Sequence, residues 1–251
     1  MTKKKQIGTG KALATTRSTA IQPARDTMHR MEGGGDLVRV DAVFHVPAVH
    51  PSGSGPWAQE ADKIAWVDEM SGYGCIIRRS PTKKHLCGYV SVPPGHPLFG
   101  RHINTMGDFL ISVHGGLDYA AACQNWEREE VSVCHPSDNR TRRIVPEGFQ
   151  QNVHVNDVAA EQIRDRHVDD AWWFGFSCDQ VTDITPTTRE ESRPNGLLDG
   201  VNRPTYKDEA FVYAQCVRLA AQLKAIEEGR DPRDADPGPR SVVYAPHRTE
   251  G

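Results

Sequence analysis

A histidine followed by two glycines closes the run "FLISVHGGLDY" (residues 109–119), and an aspartate and a tyrosine follow within one turn. Imidazole titrates near neutrality, and glycines admit positive φ or the close approach of a ligand to the backbone. His114, Gly115, Gly116, Asp118 and Tyr119 therefore read as a candidate group for holding a phosphate or for acid–base work. The competing reading is a histidine bonded to a neighbouring loop while the glycines make a bend. A second candidate is His96 in "VPPGHPLFGRH", where three prolines stiffen the loop that presents it, unless those prolines only punctuate the chain. If His96 and His114 converge, they form the leading pocket.

The stretch "DDAWWFGFSCDQVTD" supplies the remaining candidates. On a strand, successive side chains point to opposite faces, so Trp172 and Trp173 separate: one enters the core and the other is free to stack on a flat ligand. Asp183, four residues after Asp179 in a loop rich in Thr and Pro, suits a cation-binding or turn-capping role. No CxxC, GxxxxGK[ST], HExxH or GxSxG pattern occurs, which removes the commonest zinc, nucleotide and hydrolase signatures. The sequence leaves cofactor and metal unassigned.

These residues must be held by a modest core. Hydrophobic residues make up 37% of 251, and the net charge is −3. That balance argues against general nucleic-acid binding, which needs a basic excess. No apolar run approaches the roughly 20 residues of a membrane span, and the N-terminus lacks the apolar middle of a signal peptide. The expected location is a cytoplasm, where the six cysteines are thiols or metal ligands rather than a disulfide framework.

The fold expected is α+β: one compact domain with a mainly antiparallel sheet and a packed C-terminal helix, flanked by disordered tails. Residues 1–55 read as a flexible arm with a basic tip and one strand-prone run at 36–50, residues 56–229 as the domain, and 230–251, with four prolines in the last 23 residues, as a flexible tail. "YGCIIRRSPTKKHLCGYVSV" predicts a hairpin centred on Pro81, placing Cys75 opposite Cys87. "FLISVHGG", "VSVC" (131–134) and "AWWFGFSC" predict further strands, and "NDVAAEQIRDRH" (156–167) a helix. The clearest helix is "TYKDEAFVYAQCVRLAAQLKAIEEG": Val212, Cys216, Leu219, Leu223 and Ile226 form one stripe, Thr205 or Asp208 caps it, and Gly229 stops it. Arg218 and Gln222 are expected to matter little.

"GYVSVPPGHPLFG", "VHGGLDY", "WWFGFSCDQVTD" and the final amphipathic segment resemble a family of small uncharacterised proteins of bacteriophages, prophages and bacterial genomes, over residues 56 to 226. In that family the third block usually carries Asp where Ser177 stands and His where Gln180 stands; Asp183 keeps the block's last acid. The resemblance implies a viral accessory protein acting in the host bacterial cytoplasm. The function expected is binding of a small phosphorylated or nucleotide ligand, by which the protein would sequester a host defence signal. A phosphodiesterase-like hydrolase using His and Asp is the alternative, and a scaffold of a phage particle the third. A homo-oligomer is compatible with all three.

Overall fold

A computed structural model describes residues 23–105, 111–124, 126–135, 170–187 and 204–238. Seven strands form one sheet in the order β1-β2-β3-β4-β5-β7-β6, with every neighbouring pair antiparallel. They are β1 (Ala24–Arg30), β2 (Leu37–Phe44), β3 (Lys63–Val67), β4 (Gly74–Arg79), β5 (Leu86–Val92), β6 (Tyr119–Ala122) and β7 (Trp172–Ser177). A short parallel pair, β8 (Asp183–Ile184) with β9 (Thr205–Tyr206), leads into helix α1 (Glu209–Glu227). The architecture is α+β, with α1 packed on one face of a mainly antiparallel sheet. Among the described residues no helix is long and apolar enough to cross a membrane.

The helix follows its sequence pattern. Asp208 caps it by accepting from Phe211 N, and Gly229, at φ 71°, lies just past its end. Val212, Cys216, Leu219 and Leu223 are fully buried against Cys75, Ile77, Leu86, Val90 and Phe176. Glu209 in the first turn is fully buried too. Its carboxylate accepts from Ala61 N at 2.6 Å, Glu32 N at 2.9 Å and His29 Nε2 at 2.8 Å, pinning the helix start to the sheet. Close approach across β5 and β7 depends on glycine. Gly88 faces Phe176 and Gly175 faces Tyr89; a Cβ on Gly88 would come within 2.4 Å of the Phe176 ring, and one on Gly175 within 2.5 Å of Tyr89. Each aromatic ring thus covers a bare stretch of backbone.

The opposite face buries Ile76, Cys87, Tyr89 and Trp173 under the 123–135 segment. Lys63 and Arg78, paired across β3 and β4, hold that segment by its carbonyls. Lys63 Nζ donates to Glu129 O at 2.5 Å and Cys134 O at 3.2 Å, and Arg78 Nη1 donates to Val131 O at 2.7 Å. Burial lowers the Lys63 amine to about 7.

Several expectations change. Within the stretch read as a flexible arm, β2 falls in the strand-prone run at 36–50, but β1 at Ala24–Arg30 was not expected; it was hidden because "ARDTMHR" is a polar edge strand without an apolar alternation. The β4–β5 loop is longer than expected: Ser80 N bonds His85 O, Cys75 faces Val90, and Cys87 faces Arg78. The register moves by an odd number of residues, so Cys75 and Cys87 lie on opposite faces. Cys123 and Cys134 form a disulfide where thiols or metal ligands were expected, while the other four cysteines are buried and form no disulfide. Residues 111–116 and 131–134 make turns and extended coil rather than strands. Gln222 is buried; its amide donates to Ser112 O at 3.0 Å and accepts from Ser112 N at 2.7 Å, in the manner of a neighbouring strand. The helix expected at 156–167, and the tails before residue 23 and after 238, lie outside the described residues.

Candidate functional site

Helix α1 positions the His-Gly-Gly turn. Gln215 Oε1 accepts from His114 N at 3.0 Å, one element of the same glutamine ladder that Gln222 provides for Ser112. The Phe211 ring meets the imidazole edge-on, with centroids 5.2 Å apart. Gly115 and Gly116 then take φ of 69° and 83°, which brings the chain back toward β6.

The turn places His114 against the loop after β7. His114 Nε2 lies 2.7 Å from Asp183 Oδ2, and the Asp183 side chain is wholly buried. An ionised carboxylate only accepts, so Nε2 donates to it, and Nδ1 has no partner among the described residues. Asp183 Oδ2 also accepts from Gln180 N at 2.9 Å, the turn-capping role expected of it. Asp183 Oδ1 is buried without a hydrogen bond, and Lys207 Nζ lies 3.7 Å from it. Lys207 stands directly after β9, whose Thr205 faces Asp183 in the parallel pair. Its ammonium also donates to Thr205 Oγ1 at 2.6 Å and lies 4.9 Å from the Phe211 ring centroid.

Three separated stretches of chain thus meet around one buried carboxylate. Gln180 forms the floor of the turn: its side-chain amide donates to Ser177 O at 3.3 Å, and a Cβ on Gly115 would fall 2.3 Å from its nitrogen. A Cβ on Gly116 would meet nothing within 4 Å, so that side is open. Asp118 and Asp179 flank these residues in sequence. Burial raises the Asp118 carboxyl, with the Asp179 charge adding to the rise and a hydrogen bond from Ser177 opposing it. Asp179 Oδ2 pairs with Lys83 Nζ at 2.9 Å. Among the described residues no group of three His, Cys, Asp or Glu side chains is arranged to hold a metal ion.

The other candidates go elsewhere. His96 is buried with both ring nitrogens used, Nδ1 accepting from Leu98 N at 3.0 Å and Nε2 donating to Leu223 O at 2.9 Å. Burial lowers its pKa, and it serves to join the proline loop to α1. Leu223 is eight residues beyond Gln215, about 12 Å along the helix axis, so His96 and His114 do not converge. Tyr119 packs edge-on against Tyr89 on the face away from the helix. Trp173 is fully buried there, and Trp172, at the far end of β7, donates to Arg101 O at 3.1 Å beside Phe99 and His102. The aromatic neighbour of His114 is Phe211 instead. Lys207, Phe211 and Gln215 were missed by sequence reasoning, and Gln180 entered it only as the residue standing where the resembling family carries a His. Gln215 and Gln222 carried a signal, being seven residues apart on one flank of the apolar stripe; Lys207 carried none.

No family model matches the chain, and no curated protein or solved structure matches it either.

Proposed function

We propose that the chain binds a small phosphorylated or nucleotide ligand at the rim formed by the His114–Gly116 turn, Asp183 and Lys207. One observation carries this reading: an imidazole, an ammonium and a positive-φ Gly-Gly turn, from distant parts of the sequence, converge on one buried carboxylate. Asp183 holds the imidazole and the ammonium in place, and the open side of Gly116 admits a ligand close to the backbone. In an infected bacterium such a site would sequester a phosphorylated host signal, in keeping with the resemblance to phage proteins.

The His114–Asp183 pair favours a second reading, a hydrolase. With Asp183 holding Nε2–H, the Nδ1 lone pair is placed to take a proton from a water attacking a phosphodiester. Titration of the full chain with ADP by calorimetry, and incubation with a dinucleotide followed by phosphorus NMR, separates the two. Binding without new phosphorus signals supports the binding module, and turnover lost in His114→Ala supports the hydrolase. Neither binding nor turnover across mono- and dinucleotides would leave the scaffold role.

A further inference from the structure

One residue before Lys207, the chain is bonded to a buried charged group. Arg79, 1% exposed on β4, donates through Nε to Asp62 Oδ1 at 2.7 Å and through Nη2 to Glu60 Oε2 at 2.8 Å. Its Nη1 donates to Lys84 O at 2.9 Å and to the Tyr206 hydroxyl at 3.3 Å. Tyr206 in turn donates to Glu60 Oε2 at 2.5 Å. Tyr206 is the second residue of β9, facing Ile184, with Lys207 next in sequence. The strand that leads to Lys207 is therefore anchored to the core through one phenol and one carboxylate.

We propose that Glu60 is a positioning residue of the rim: by holding Tyr206 it fixes β9 against β8, and so sets Lys207 opposite Asp183. This deepens the ligand-binding reading and rests on it for its functional meaning. Glu60 is fully buried, and its Oε1 has no hydrogen-bond partner among the described residues. A proton on Oε1 would relieve that buried oxygen and weaken Oε2 as an acceptor for Tyr206. Burial pushes the carboxyl up to about 7 against the pull of Arg79 and Tyr206, so the link changes state near neutrality. The charged groups around it are Arg79, Tyr206, the Glu209 carboxylate of α1, and Asp62 behind Arg79. His50 lies 2.9 Å from Asp62 and His29 2.8 Å from Glu209.

The test follows backbone amide shifts in the full chain from pH 5.5 to 8.5, without ligand, in a His114→Asn background that removes the imidazole bound to Asp183. The Tyr206 and Lys207 amides should show a step near pH 7, erased by adding Glu60→Gln. Lys207 shifts that Glu60→Gln leaves unchanged at every pH, or survival of the step in His114→Asn/Glu60→Gln, would overturn the proposal. Should Glu60→Gln fail to fold, Tyr206→Phe replaces it: the step should persist at Ala61 and vanish at Lys207, and persistence at Lys207 would refute the link. With His114 restored, Glu60→Gln should weaken ADP binding at pH 8 by about threefold or more. If ADP binds neither protein, the ligand reading fails, while the amide step still decides the positioning role.

Discussion

Replacing Gly115 by alanine, with Gly116→Ala as its control, probes the geometry of the rim. Both glycines have positive φ, 69° and 83°, so each alanine carries a left-handed backbone cost of about 1 kcal/mol. Only Gly115 also meets a neighbour: its new Cβ would fall 2.3 Å from Gln180 Nε2 and 2.4 Å from Cδ. Gln180 can swing away, but then loses its bond to Ser177 O, worth about 1 kcal/mol. Gly115→Ala should therefore cost about 2 kcal/mol and Gly116→Ala about 1 kcal/mol. Gln180→Ala alone should cost about 1 kcal/mol, and Gly115→Ala/Gln180→Ala about 2 rather than 3, because the same hydrogen bond is lost only once. Urea unfolding followed by tryptophan fluorescence measures all four. Equal costs for the two glycine variants, or strict additivity in the double variant, would refute the placement of Gln180 under the turn.

Three further outcomes are expected. Leu223→Ala should cost about 2–5 kcal/mol as a fully buried leucine of the helix–sheet core, and Gln222→Ala about 1–3 kcal/mol because the Ser112 backbone loses both partners; urea midpoints check both, and a neutral Gln222→Ala would dissociate the 111–114 segment from α1. Lys63, lowered from 10.5 to about 7, binds fewer protons folded than unfolded between those values, so its contribution to stability is full above about 10.5 and is lost as pH falls toward 7. The stability of wild type minus that of Lys63→Met should accordingly rise from pH 7 to 9, and a flat difference would contradict the buried amine. Reduction of the Cys123–Cys134 bond, which closes a short loop, should cost about 2–3 kcal/mol, read as a lower melting temperature in reductant that Cys123→Ser/Cys134→Ser reproduces without reductant; an unchanged temperature would show that the bond does not constrain the segment.

The helix was legible because its apolar stripe, cap and stop are all local signals: Val212 to Ile226, Asp208 and Gly229 take the expected places. Strand β7 was legible as an aromatic run, and its alternation sends Trp173 to one face and Phe174 to the other. Other features depend on distance along the chain. Strand β1 is polar because it is an edge, and its membership of the sheet comes from pairing with β2. The β4–β5 register depends on whether the loop closes at Pro81 or between Ser80 and His85, a matter of backbone geometry rather than composition. At the rim, His114 and Asp183 were both singled out, but their meeting spans 69 residues and requires α1 to hold the turn in place. Lys207 enters only because β9 pairs with β8. His96 looked like chemistry because a stiff loop presents it, yet that loop turns it inward to cap a helix carbonyl.

The most direct measurement is calorimetric titration of ADP into the wild-type chain, His114→Ala and Asp183→Asn, with the melting temperature of each preparation recorded beside it. Saturable binding to the wild type should weaken at least tenfold in both variants, a loss of about 1.4 kcal/mol or more, read well below each melting temperature because His114→Ala also takes a hydrogen bond from the buried Asp183 carboxylate. Binding that survives both substitutions, or a His114→Ala protein that melts several degrees lower and binds as the wild type does, would contradict the account and make His114 a structural histidine.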